Sequence, residues 1–219
     1  MMKFFFPLLL THGLAIHGNA QTKAISDQGR EVTLFDNGTW KYSHDSTSAN
    51  APDSLQLNPV SFAKSADAGF LVKSTTFNVG VSINPADWTY TGRHENEKNP
   101  EYHFSAKTID GYAMLITETV GVDLVSLKRA ALSNARSASF DIQETYADYR
   151  MVNGIKVVCL EMKGTVSGIQ LAYLGYYCSN ENGTVQLLAY CSLQQYEKMK
   201  PALTQFLNGL TEIKKTSDP

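Results

Sequence analysis

The chain is poor in the residues that usually announce chemistry. Cysteine occurs only three times in 219 residues, an odd count too low for the disulfide framework of a small stapled fold. Histidine occurs five times. No Gly-x-Ser-x-Gly nucleophile elbow is present. Gly164-Thr-Val-Ser-Gly168 is bounded by glycine, but no Lys-Ser/Thr pair follows, so it does not build a phosphate loop, and no cofactor is expected. Neither sign of charge dominates: 19 basic groups face 21 acidic ones, for a net charge of −2. That balance gives no field to steer nucleic acid or an anionic membrane surface, and nucleic-acid binding is not expected. No apolar run reaches the ~18 residues a spanning helix needs.

What is there begins with an address. MMKFFFPLLLTHGLAIHGNA places one lysine before an apolar stretch and ends with small residues at Gly18 and Ala20. This is the layout of a cleaved secretory signal over residues 1–20, with Gln21 the first mature residue. His12 and His17 break the apolar run, which argues against an uncleaved anchor. No membrane span is expected after cleavage, and without a cysteine near the cut no lipid anchor is expected either. The expected location is periplasmic or extracellular.

Residues 21–43 carry two turn formers, Asp27-Gln-Gly29 and Asp36-Asn-Gly38, between β-favouring runs. They read as a small three-stranded meander whose Val32, Leu34, Trp40 and Tyr42 need apolar company. Such a unit is marginal alone. Its pattern resembles a short β-element found just after the signal peptide in bacterial envelope proteins. Residues 44–57, HDSTSANAPDSLQL, have linker composition. The main domain is expected over 58–210, followed by a polar tail over 211–219.

Within that domain Phe77–Ile83, Trp88–Thr91, Tyr102–Ile109 and Tyr112–Thr119 read as strands, the last two joined at Asp110-Gly111. Tyr146–Val152 and Ile155–Lys163 meet at Asn153-Gly154, and Ile169–Cys178 pairs with Thr184–Cys191 across Asn180–Gly183. Asp123 is an N-cap for a helix carrying Leu124, Leu127, Ala131, Ala135 and Ala138 on one stripe. A second helix follows Ser192 with Tyr196, Met199, Leu203, Phe206 and Leu207 inward, kinked or shortened by Pro201 and ended by Asn208-Gly209. The fold class expected is α+β: a mostly antiparallel sheet of about six or seven strands with packed helices.

This order of elements, with Val81-Ser-Ile-Asn-Pro-Ala-Asp-Trp88, Tyr112-Ala-Met-Leu-Ile-Thr-Glu118, Tyr149-Arg-Met-Val-Asn-Gly154, Gly175-Tyr-Tyr177 and Phe206-Leu-Asn-Gly-Leu210, resembles the PsbP-like fold. PsbP subunits of photosystem II, Ran-binding Mog-type proteins and DcrB-like envelope proteins share it. The resemblance, strongest to bacterial exported proteins of that class, spans 77–210. It implies a non-catalytic module that binds an envelope protein or a small ligand, and brings no catalytic motif with it.

The hairpin register sets the cysteines. With Asn180–Gly183 as the turn, Cys178 faces Val185 and Cys191 faces Ala172, about 20 Å apart at ~3.3 Å per residue. A turn at Gly164–Gly168 puts Cys159 near Ala172, two inter-strand spacings from Cys191. Neither separation suits a disulfide, so three free, buried thiols are expected. Alternation places Tyr173 and Tyr177 on one sheet face with Tyr190, the cross-strand partner of Tyr173, beside them. They are either core aromatics or the lining of a groove for an apolar or glycan ligand. In the loop Gly92–His103, His94, Glu97 and His103 could ligate a metal or serve a secreted hydrolase, although Arg93 and Lys98 favour a solvated loop and the spacing fits no established zinc pattern. Asn37-Gly-Thr39 and Asn182-Gly-Thr184 fit the glycosylation sequon, but both are also turn formers.

Overall fold

Fourteen strands and two helices follow from this pattern in the computed structural model, which describes residues 21–25, 31–35, 40–42, 55–94, 98–180 and 183–213. Residues 1–20, expected to be a secretory signal, most of the expected linker, Glu97, both sequon asparagines and residues 214–219 lie outside the described residues.

Strands β1 (Gln21–Ile25), β2 (Glu31–Phe35) and β3 (Trp40–Tyr42) form an antiparallel meander in chain order. Val32 is buried in it, whereas Trp40 remains 56% exposed. The main body is an eight-stranded sheet built from β4 (Leu57–Phe62), β7 (Trp88–Gly92), β8 (Tyr102–Ala106), β9 (Gly111–Glu118), β10 (Gln143–Val152), β11 (Ile155–Val166), β12 (Ile169–Asn180) and β13 (Gly183–Ser192). Its spatial order is β4-β10-β11-β12-β13-β9-β8-β7. A smaller sheet joins β5 (Phe70–Lys73), β6 (Val79–Ile83) and β14 (Leu210–Glu212) in the order β14-β6-β5.

The architecture corrects the expected fold class. The chain is mostly β. Its main sheet has eight strands, not six or seven, and it is mixed, because β4 runs parallel to β10. Only two helices, α1 (Leu124–Ala138) and α2 (Tyr196–Leu207), accompany it among the described residues. The strands missed are short or sit at an edge. β4 carries Pro59, tolerated there because an edge strand does not need every N–H. β5 and β14 have four and three residues, too few for alternation to show.

The turns follow from local chemistry. Asn153 and Gly154 have φ of 49° and 87°, and Val152 pairs with Ile155 across them, the tight turn that positive φ at both central positions permits. Ser167 and Gly168 do the same, at 51° and 81°, so the chain reverses there and not over the whole of Gly164–Gly168. As a result Cys159 pairs with Tyr176, not Ala172. Asp110-Gly111 is also not a two-residue turn: Ser105 pairs with Tyr112, leaving Lys107–Asp110 as the connection. Gly111 instead opens β9 where a Cβ would come within 3.3 Å of Leu203 on α2.

Asp123 Oδ1 accepts from the Ser126 N–H at 2.9 Å and starts α1. Leu127 and Ala131 press this helix onto one face of the sheet, with Val158, Leu160, Met162 and Tyr177 beneath. On the opposite face α2 buries Tyr196, Met199, Leu203, Phe206 and Leu207 against Leu174, Leu187 and Leu115. A separate 3-10 turn, Leu193–Gln195, precedes α2, which continues through Pro201. The β5-β6-β14 sheet closes the same side through Val72, Val81 and Leu210. Three layers result, with α1 and α2 on opposite faces of the main sheet.

Candidate ligand-binding face

α1 lies on β11 and β12 and does not shield β13 and β9 to the same degree. Strand β9 records this residue by residue. Ala113 and Leu115 point to the α2 side and are 2% and 0% exposed, while Tyr112, on the other face, is 42% exposed. Met114, Ile116, Leu188 and Tyr190 on that same face are half-buried. On the α1 side, β13 and β9 therefore present an open strip of apolar side chains.

A row of tyrosines runs onto that strip. Tyr173 in β12, Tyr190 in β13 and Tyr112 in β9 are successive cross-strand partners. The Tyr173 and Tyr190 rings stand 5.6 Å apart and the Tyr190 and Tyr112 rings are stacked at 5.7 Å, within the range of favourable aromatic pairs. A hydrogen bond to Asp110 raises the Tyr112 pKa above its ordinary value, helped by that carboxylate's charge. Burial raises those of Tyr173 and Tyr190. All three phenols therefore stay neutral well beyond neutral pH. Tyr177 shares this face but is 0% exposed. Its ring lies over Gly175, where a Cβ would meet Tyr177 Cε2 at 2.6 Å, and burial holds its hydroxyl protonated.

The two loop histidines come together. His94, beyond the end of β7, is exposed, His103 in β8 is half-buried, and their rings lie 4.7 Å apart at 36°. Among the described residues no group of three or more His, Cys, Asp or Glu side chains could hold a metal ion.

Other polar groups are absorbed by the structure. Asp148 and Arg150, both buried, pair at 2.9 Å. Asp148 Oδ2 also accepts from Asn58 and from the Tyr146 hydroxyl. Arg150 donates to the Tyr176 hydroxyl at 3.3 Å, which donates in turn to Asn208 at 2.8 Å. This network ties β4, β10 and β12 to the end of α2. Nothing in the spacing of those residues revealed it, because its members come from four separate elements. Glu161 is met by Lys200 at 2.7 Å. All three thiols are free and buried. Burial pushes Cys159 and Cys178 up to about 12, so neither supplies a thiolate near neutral pH. A cleft of about 200 Å³ between α2 and the β6–β7 turn is lined by Ser82, Asn84, Asp87, Trp88, Gln205 and Phe206 among others. Trp88 there is only 7% exposed and packs on Phe206 at 4.1 Å, and Asn84 is held by Asp87.

The backbone arrangement has solved counterparts. Cyanobacterial PsbP (CyanoP) from Synechocystis sp. PCC 6803 matches with a TM-score of 0.52 at 12% identity, over 65% of this chain and 91% of that one. The fold is PsbP-like. LpqN, a protein involved in cell envelope biogenesis of Mycobacterium tuberculosis, matches at TM-score 0.45 and 15% identity, over 66% of this chain and 90% of LpqN. A Mog1 variant matches at TM-score 0.43 and 7% identity, over 67% of this chain and 97% of Mog1. No protein-family profile and no curated protein matches the sequence. At such identities the likeness concerns the fold alone.

Of the residues singled out in the sequence, Tyr173 and Tyr190 meet as neighbours, Tyr177 lies beneath α1, and His94 meets His103. Tyr112 was missed. Its place in the row depends on β9 pairing with β13, a contact between strands far apart in the chain that α1 and three strands separate.

Proposed function

We propose that this chain is an exported, non-catalytic module of the cell envelope that holds a glycan on the open face of its sheet. The carrying observation is the Tyr173–Tyr190–Tyr112 row, which runs from the edge of the cluster under α1 out to the exposed ring of Tyr112. Flat aromatic rings offer the apolar C–H face of a sugar a large contact at little entropic cost, while phenol hydroxyls serve its rim. The row crosses two inter-strand spacings, roughly 10 Å, a length suited to two linked sugar rings. A non-catalytic role is supported by the polar groups already described: Asp148 and Glu161 are taken by cations, and the Cys159 and Cys178 thiols are held protonated. The leader at residues 1–20 supports export.

The test is retention of the full-length chain on a panel of immobilised envelope polysaccharides, with soluble fragments as competitors. Tyr112→Ala and Tyr190→Ala should each weaken binding at least tenfold with unchanged circular dichroism, and the glycan should be recovered uncleaved. Equal retention of both variants, or release of shortened glycan, would reject the proposal.

A further inference from the structure

Beside the tyrosine row lies a set of side chains with metal-donor atoms. His103 in β8 and Met114 in β9 are direct cross-strand partners, so their side chains leave the same face of the sheet from Cβ atoms about 5 Å apart. His94 folds back from beyond β7 and sets its ring 4.7 Å from that of His103. Three segments of chain thus bring two imidazoles together and set Met114 on the same face, directly across from His103. The spot is open, since His94 is exposed and both His103 and Met114 are half-buried. Thr91 and Ser105, in register with His103 and Tyr112, border it with small side chains.

We propose that His94, His103 and Met114 bind a single Cu(I) ion. The choice of ion follows from the donors. Imidazole serves zinc, copper and nickel alike, but a thioether is a soft ligand that favours Cu(I). Zinc would look for further His, thiolate or carboxylate ligands. Among the described residues no third His, Cys, Asp or Glu joins the two imidazoles, whereas Met114 is the direct cross-strand partner of His103. The spacing also fits. Two imidazoles sharing one ion through bonds of about 2 Å carry their ring centroids roughly 5 Å apart, close to the separation already present. Each imidazole needs only one of its two nitrogens for the ion, so the other can keep a hydrogen bond.

The experiment uses the full-length chain without an affinity tag, titrated with Cu(I) under reductant against a chromophoric Cu(I) chelator. One equivalent should be withdrawn from the chelator. Met114→Leu, which conserves side-chain volume, and His103→Gln should each weaken that competition at least tenfold. X-ray absorption at the copper edge should show a sulfur neighbour in the parent chain that is missing in Met114→Leu. Failure of the parent chain to compete overturns the assignment. So does binding that Met114→Leu leaves unchanged, since the ion would then sit on other ligands, the three cysteine thiols and His12, His17 and His44 included. These readouts are independent of glycan retention, so either proposal can fail without the other.

Discussion

Glu101 offers a strict test of how polar contacts hold this fold. Its carboxylate is 4% exposed and accepts from the Ser74 hydroxyl at 2.8 Å, the Thr75 hydroxyl at 2.6 Å, the Thr117 hydroxyl at 3.0 Å and the Thr75 backbone N–H. One side chain thus fastens the β5–β6 turn to β9. Burial by itself would raise the carboxyl's pKa, but the bonds from Thr75, Ser74 and Thr117 outweigh it and the net shift is downward. In Glu101→Ala the donors of Ser74 and Thr75 can turn partly to water, while that of Thr117, 6% exposed, is stranded. Hydrogen bonds to a charged group contribute about 1.5–3 kcal/mol each. Allowing for water, the expected loss is about 3 kcal/mol at pH 7, or a Tm lower by roughly 6–12 °C for a chain of this size. The pH dependence follows from the direction of the shift. With the folded pKa below the unfolded value of about 4.3, Glu101 contributes its full stabilisation above that value and loses it as pH falls through the folded pKa. Urea unfolding of parent and Glu101→Ala at pH 7 and at several points below pH 4.5 should therefore show a gap that narrows on acidification. A gap under ~1 kcal/mol at pH 7, or one that widens as pH falls, would refute the reasoning.

Arg150→Met should cost about 3–5 kcal/mol in chemical denaturation, because it leaves Asp148 charged and buried without its partner, whereas the paired change Asp148→Leu/Arg150→Met should recover much of that loss. Gly209→Ala should fold poorly, since a Cβ there would overlap the Ser82 carbonyl oxygen; soluble yield and thermal unfolding report it. Alkylating the unfolded, unreduced chain should label all three cysteines, and mass spectrometry counts the adducts.

The parts of this fold legible in the sequence are those governed by neighbours in the chain. Asn153-Gly154 and the Asn180–Gly183 turn each set a hairpin register, so that Cys178 opposite Val185 and Cys191 opposite Ala172 followed directly. The Asp123 cap and most of the inward residues of both helices followed in the same way, although Ala138, expected on the inward stripe of α1, is exposed and Ser126 is buried instead. Where two turn-formers competed, local chemistry was ambiguous. Ser167-Gly168 won over a wider Gly164–Gly168 loop because positive φ at two successive residues closes a two-residue turn. That moved Cys159 opposite Tyr176 and further from Cys191. The parts that stayed hidden depend on distant strands: β4 beside β10, β9 beside β13, and the Asp148–Arg150–Tyr176–Asn208 network. The candidate sites divide likewise. Tyr173 with Tyr190 is a hairpin pair and could be read, while Tyr112 and Met114 join their partners only after the sheet has assembled.

The parallel pairing of β4 with β10 also bears on the order in which the molecule can form. Asn58 and Asp148 bond across that edge although 90 residues separate them. During synthesis β4 appears first and has no lasting partner until β10 arrives. Closing so long a loop early costs entropy that no intermediate contact repays. The β10–β13 hairpins, by contrast, can zip locally as soon as their turns exist. The assembly sequence this implies is a four-strand nucleus built from the later part of the chain, onto which the earlier strand docks last, carrying Asn58 into the buried charge pair as it closes.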